Sequence, residues 1–157
     1  YADHTFGVCK KMLDDKNAIM GLGDGGAHVG FILDAGYPTW LISYWSVKQK
    51  AYSMEETVRR LTSDTANAAG LNDRGLLKVG LKADINIIDW ENVGSSDPFM
   101  TQDLPAGGKR LMQYTKGYVT TIVSGKVTYK NGKFTKERPG TVVKSVKDEE
   151  KTLEFIN

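Results

Sequence analysis

Ala18-Ile19-Met20-Gly21-Leu22-Gly23-Asp24-Gly25-Gly26-Ala27-His28-Val29 is the stretch on which the reading of this chain turns. Its first half is a short apolar run bounded by turn formers, the pattern of a strand buried on both faces of a parallel sheet. The run stops at Asp24, and a glycine-rich loop through His28 follows at once. On the Asp-Gly dipeptide alone, a plain turn is favoured by about three to one. The buried run before it and a second motif downstream reverse that preference.

Upstream, Phe6, Cys9, Met12 and Leu13 stand at helical spacings, so Thr5 to Leu13 reads as a short amphipathic helix. Downstream, Pro38 opens an aromatic-rich buried helix through Trp45, with Pro where a first-turn N–H is dispensable. Ser53 and Glu56 form a capping box for a helix through Val58 and Leu61. Thr65 to Ala69 adds a helical turn or two, stopped by Gly70. After Gly75 the pattern changes to short strands punctuated by Gly, Leu76 to Gly80 and Ala83 to Asp89. Tyr118 to Val123 and Lys126 to Lys130 flank Ser124-Gly125, a two-residue hairpin signal, and Asn131-Gly132 supplies a second turn. Residues 92–116 read as a long loop with little regular structure. The charged tail from Lys144 to Asn157 reads as frayed or loosely helical.

With 157 residues, 40% hydrophobic and 25% charged, the chain has the make-up of one soluble domain or two small ones. Its 21 basic and 19 acidic residues are scattered, leaving a net charge of +2 and no basic stripe for a nucleic-acid partner. No apolar run approaches the roughly 20 residues that span a bilayer. No membrane association is expected. The lone Cys9 excludes an intrachain disulfide and suits a reducing compartment, so a cytoplasmic location is expected. Tyr1-Ala2-Asp3-His4 carries no capping or turn logic and reads as the interior of something longer.

Two segments together resemble the amidohydrolase superfamily, and within it the N-acyl-D-amino-acid deacylases. They are Gly21 to Val29, and Asn67-Ala68-Ala69-Gly70-Leu71-Asn72-Asp73-Arg74-Gly75 leading into Gly80-Leu81-Lys82-Ala83-Asp84-Ile85. A third stretch, Gly117-Tyr118-Val119 through Ser124-Gly125-Lys126-Val127 to Pro139-Gly140, is similar to the closing strands of the same family. The resemblance implies an α+β piece of a larger architecture: the last strand and flanking helices of a metal-dependent (β/α)8 barrel, then part of a small β-sandwich. A whole barrel needs roughly 250 residues. Residues 1–74 would be the end of the barrel, 75–143 the sandwich portion and 144–157 the tail.

In such enzymes a divalent metal, usually zinc, lowers the pKa of bound water, and a carboxylate at the end of the last strand takes and then delivers the proton. The resemblance assigns that catalytic and metal-binding role to Asp24. Gly25 and Gly26 would allow close backbone approach to substrate. His28 would either touch substrate or hydrogen-bond the loop backbone. Cys9 reads as a core residue, and neither His belongs to an H-x-H pair, so zinc would belong to the larger enzyme and not be retained by this piece. Asp73, Arg74 and Asp84 read as a structural ion-pair corner, and Trp40, Tyr44 and Trp45 as core packing. Family members specific for D-amino acids carry Pro-Arg after the catalytic Asp, where the Arg binds the substrate carboxylate. Pro38-Thr39 stands here, which widens the expected substrate from N-acyl amino acids to other amide, carbamoyl or cyclic amide compounds.

The expected function is hydrolysis of a non-peptide C–N bond by the larger enzyme, with this piece inactive alone. The alternative is a non-catalytic assembly module that self-associates into a homo-oligomer through its barrel-facing surface.

Overall fold

The helices come first and the strands second, and each group has its own reason to form. The computed structural model describes residues 5–21, 23–26 and 28–144. Helix α1 spans Gly7–Asp14, and α2 spans Tyr37–Trp40 and runs directly into a π-helical stretch at Leu41–Lys48. Helices α3 at Met54–Leu61 and α4 at Ser63–Ala68 complete the helical part.

These boundaries follow local chemistry. Pro38 lies in the first turn of α2, where no intrahelical N–H is required. Ser53 caps α3 by accepting the Glu56 N–H at 3.1 Å. The other half of the expected capping box is given up, because the Glu56 carboxylate turns to Arg60, one turn on, at 2.8 Å. Gly70, with φ of +70°, ends the helical part after α4.

The core lies between these helices. Leu41, Trp45 and Tyr52 are its buried centre, and Cys9 and Leu13 of α1 pack against them with Leu61 of α3. Cys9 is thus a packing residue. The Tyr52 ring has the Lys10 ammonium and the Arg60 guanidinium each 4.5 Å from its centroid. Its hydroxyl donates to Asp14 at 2.9 Å, and Arg60 donates to the Leu13 carbonyl at 2.7 Å, which fastens the end of α1 to α3. Burial, and then the hydrogen bond to Asp14, push the Tyr52 hydroxyl pKa well above its ordinary value.

Every strand ladder among the described residues is antiparallel. Strands β1 (Ile85–Ile88), β6 (Tyr118–Val123), β7 (Lys126–Lys130) and β8 (Lys133–Phe134) form one sheet in the order β1-β6-β7-β8. Ser124 and Gly125 have φ of +47° and +77°, and Asn131 and Gly132 have +48° and +73°. Paired positive φ values are what two-residue hairpin turns require, so both turns form where the sequence marks them.

Three expectations need correction. Of the strand expected at Ala18 to Gly23, Leu22 lies outside the described residues, the rest are in no ladder, and Ile19 is exposed. A parallel strand bonds to neighbours supplied from far along a sequence, and no described residue supplies a parallel partner. The barrel is therefore not represented by any ladder here. Leu76 to Gly80 is likewise no strand; its apolar side chains are exposed on an excursion closed at its base by Lys82 N–H donating to the Asp73 carbonyl at 2.8 Å. Residues 92–116 are not a plain loop. They contain β2 (Gly94–Ser95), β3 (Phe99–Leu104), β4 (Gly108–Met112) and β5 (Thr115–Lys116), with β3 paired to β4 and β2 to β5. Arg110 grips Asp103 across the β3–β4 hairpin with bonds of 2.8 and 2.6 Å.

The two halves meet at a corner. Arg74, 19% exposed, pairs with Asp73 at 2.9 Å and Asp84 at 3.0 Å. Asp84 also accepts the Ser124 N–H at 2.7 Å, tying the corner to the β6–β7 turn. The structural ion pair expected there is present. The tail beyond Lys144 and residues Tyr1 to His4 lie outside the described residues. No helix among the described residues is long and apolar enough to cross a membrane.

Candidate active site

Asp24 is exposed at the head of the Gly25-Gly26 turn, and its neighbours explain the glycines around it. A Cβ on Gly23 would stand 2.9 Å from the Asp34 carbonyl oxygen and 3.3 Å from the Tyr37 ring. One on Gly25 would stand 2.8 Å from the Ala35 Cβ. The backbone on both sides of Asp24 thus lies directly against the Asp34–Tyr37 turn, closer than a side chain permits. Gly26, with φ of +103°, turns the chain into open space.

His28 holds φ of +46°, in the left-handed region that few residues other than glycine adopt. Its carbonyl accepts the N–H groups of Phe31 at 2.9 Å and Ile32 at 3.1 Å. Its ring stacks on that of Phe31, with centroids 5.1 Å apart. These are the loop-internal contacts on which the structural alternative for His28 rests. The loop is fixed from outside by Leu111 of β4, whose N–H donates to the Val29 carbonyl at 2.8 Å. The β3–β4 hairpin therefore supports the segment that carries Asp24.

Thr39, in the Pro-Thr pair that replaces Pro-Arg, is 4% exposed. Its hydroxyl shares a hydrogen bond of 2.9 Å with the Tyr118 hydroxyl of β6. That side chain ties the helices to the sheet and is not free to meet a ligand.

Beside the Asp24 loop lies an open cavity of about 380 Å³, walled by Leu33, Asp34, Tyr37 and Trp40 on one side and Ser95 and Gln113 on the other. None of these residues stands in a motif the sequence singled out as a site. Pro38 marks the helix start beside four of them, but Ser95 and Gln113 come from the segment that reads as loop. The β2–β5 ladder, with the Gln113 amide donating to the Ser96 carbonyl, brings them here.

A metal centre is a separate question. Among the described residues no group of three or more His, Cys, Asp or Glu side chains is placed to hold a metal ion. Zinc takes about four protein or water ligands. Asp24 would be one, so the described residues do not by themselves fit the zinc site that the resemblance implies.

The comparisons with known proteins agree with the motif reading. The model of the amidohydrolase family matches residues 3–129. A dihydroorotase of Lactobacillus acidophilus is 33% identical over 89 residues, which are 54% of this chain and 20% of that protein. An N-acyl-D-aspartate deacylase of Alcaligenes xylosoxydans xylosoxydans is 28% identical over 96 residues, 61% of this chain and 18% of the deacylase. The chain thus spans about a fifth of the length of the curated relatives it matches. No solved structure matches. The family match runs through the Asp24 loop and covers most of the sequence: the chain belongs to the amidohydrolase family.

Proposed function

We propose that this chain supplies the Asp24 loop of a hydrolase of non-peptide C–N bonds, acting on an N-acyl-D-amino acid or a related amide. What carries the reading is the family match running through an exposed Asp whose flanking glycines let the backbone lie tight against the next turn. In this reading the Asp24 carboxylate accepts a proton from the water that attacks the amide carbonyl, then returns it to the leaving nitrogen. Gly25 and Gly26 would let the backbone approach substrate closely, Gly26 being the one whose Cβ position faces open space, and His28 would contact substrate from the same loop. Zinc, if the enzyme uses it, would take ligands beyond the described residues. Residues 1–74 would be the end of a barrel and 75–143 part of a β-sandwich, in a cytoplasmic protein.

The test is turnover of N-acyl-D-amino acids by a longer protein containing these residues. Asp24→Asn should lower kcat by about 10²- to 10⁴-fold with folding unchanged. Full activity in that variant, or robust activity of the 157-residue chain alone with added zinc, would defeat the proposal.

Thr39 favours a second substrate reading within the same chemistry. An Arg that would hold a free carboxylate is replaced by a buried, bonded Thr. Together with the dihydroorotase likeness, this supports a cyclic amide as substrate. The ratio of kcat/KM for a cyclic amide and an N-acyl-D-amino acid decides between them. The non-catalytic alternative, an assembly module, draws on the exposed Ile19, Phe31 and Leu77. Sedimentation of the chain as a strict, folded monomer would remove it.

A further inference from the structure

The cavity beside Asp24 has a chemical character of its own. Leu33 and the rings of Tyr37 and Trp40 give it an apolar, aromatic wall. One face of Trp40 is already backed by Tyr44, stacked parallel at 4.5 Å, which holds the indole in place. Of the polar residues that line it, Asp34 carries a carboxylate, which only accepts. One N–H of the Gln113 amide is occupied, donating to the Ser96 carbonyl at 2.8 Å. Its oxygen faces the Gly36 backbone, 3.0 Å from where a Cβ would stand, and is the part of that amide left to accept. Ser95 adds a hydroxyl. Among the described residues, no Lys, Arg or His lines the cavity.

The nearby start of α2 does not supply the missing positive charge. Tyr37 N–H is already given to the Asp34 carbonyl at 3.2 Å, and Pro38 has no N–H to give. Tyr37 and Trp40 can donate only as neutral groups at their ring edges. A carboxylate would therefore meet another carboxylate and no counter-charge. An ammonium or guanidinium would find a carboxylate, an amide oxygen and two aromatic rings among the lining residues.

We infer that this cavity is a subsite for an organic cation, an ammonium or guanidinium on an apolar stem, and that the group it receives belongs to the substrate bound at Asp24. Only the second half of that statement rests on the hydrolase reading. A volume of about 380 Å³ accommodates a side chain of amino-acid size. The Gly23 backbone, packed on Asp34 and Tyr37, sets two of the cavity's wall residues directly against the Asp24 loop. The consequence for substrate choice is specific: the amide hydrolysed here carries a basic group on the part that enters the cavity.

The 157-residue chain tests this without any turnover. Phenethylamine and 3-phenylpropanoate share an aromatic stem and differ in the sign of their charge, and binding is followed by backbone amide shifts at Gly36 and Ser95 and by the Gln113 side-chain amide. Phenethylamine should bind saturably and at least about fivefold more tightly than 3-phenylpropanoate at low salt. Asp34→Asn should weaken it by about fivefold with the circular dichroism spectrum unchanged. Ser95→Ala should weaken it less. Equal or tighter binding of 3-phenylpropanoate, no binding of either probe, or an Asp34→Asn chain that binds phenethylamine undiminished would overturn the assignment. Turnover by the longer protein with no amine binding here would remove the subsite and leave the hydrolase; amine binding without turnover would do the reverse.

Discussion

The helical residues 5–70 and the strands from Ile85 onward are held together in different ways. The helices share a core: Leu41, Ile42, Trp45 and Tyr52 are buried, and residues from α1, α3 and the π-helical stretch converge on them. In the strands, only Val93, Gly94 and Thr128 are buried. The sheet is kept in register by its turns and by polar clamps such as Arg110 on Asp103. One half thus depends on a shared buried core, the other on turns, polar clamps and antiparallel ladders that bury few side chains. A fold of the first kind fails when one buried ring is removed; one of the second kind fails piecemeal.

The largest effect should come from the helical core. Trp45 is 6% exposed and touches Phe6, Trp40 and Tyr44 edge to face. Trp45→Ala should cost about 3–5 kcal/mol in denaturant unfolding, with loss of near-ultraviolet circular dichroism. Amide shifts in residues 118–134 should change far less if the hairpins stand on local chemistry. A collapse of both halves together would break the contrast. Trp45→Phe sharpens it: the indole N–H is buried without an acceptor among the described residues, so removing it offsets part of the lost packing.

A smaller effect should appear where the halves touch. The Thr39–Tyr118 bond is a side-chain link from α2 to β6. Thr39→Val and Tyr118→Phe should each destabilise by about 1 kcal/mol, and the double variant should cost less than their sum. Strict additivity would show that the hydroxyls do not couple the halves, leaving the Arg74 corner and the Leu111–Val29 backbone bond to do so.

The same contrast explains what could be read from the residues alone. Ser53, Gly70, Ser124-Gly125 and Asn131-Gly132 act on their immediate neighbours, and the elements they bound came out as expected. Ala18 to Gly23 and Leu76 to Gly80 have strand-like composition, but a ladder needs a partner, and composition names none. The β3–β4 hairpin was hidden by the opposite problem: Pro98, Pro105 and the glycines signal loop, whereas Phe99 opposite Met112 and Arg110 on Asp103 are pairings between residues that no local pattern links. The Asp24 loop proposed as the site can be picked out in the sequence because its motif is contiguous. Asp34, Tyr37, Ser95 and Gln113 cannot be, because the cavity exists only once the strands around Ser95 have paired.

The smallest expected effect is on acid stability, and it separates the halves by how their carboxylates are held. Hydrogen bonds from Lys10 and then Tyr52 lower the Asp14 pKa, and a hydrogen bond from Arg110 lowers that of Asp103, each from an ordinary 3.8. A carboxylate with a lowered folded-state pKa stabilises the fold above its unfolded value and loses that contribution as pH falls through the folded one. Both contributions are therefore complete at neutral pH and fade only below about pH 4. Both groups are solvent-exposed, so their charge pairing is screened by salt. Asp14 differs in also accepting from the hydroxyl of Tyr52, whose ring is buried in the core. In acid titrations followed by circular dichroism, Asp103→Ala should shift the midpoint at low salt and no longer do so at about 1 M salt. Asp14→Ala should still shift it there, because the Tyr52 hydroxyl is left without its acceptor at any ionic strength. Equal salt sensitivity of the two variants would mean that α1 is held to the core by charge alone, and that the helical half is clamped in the same way as the hairpins.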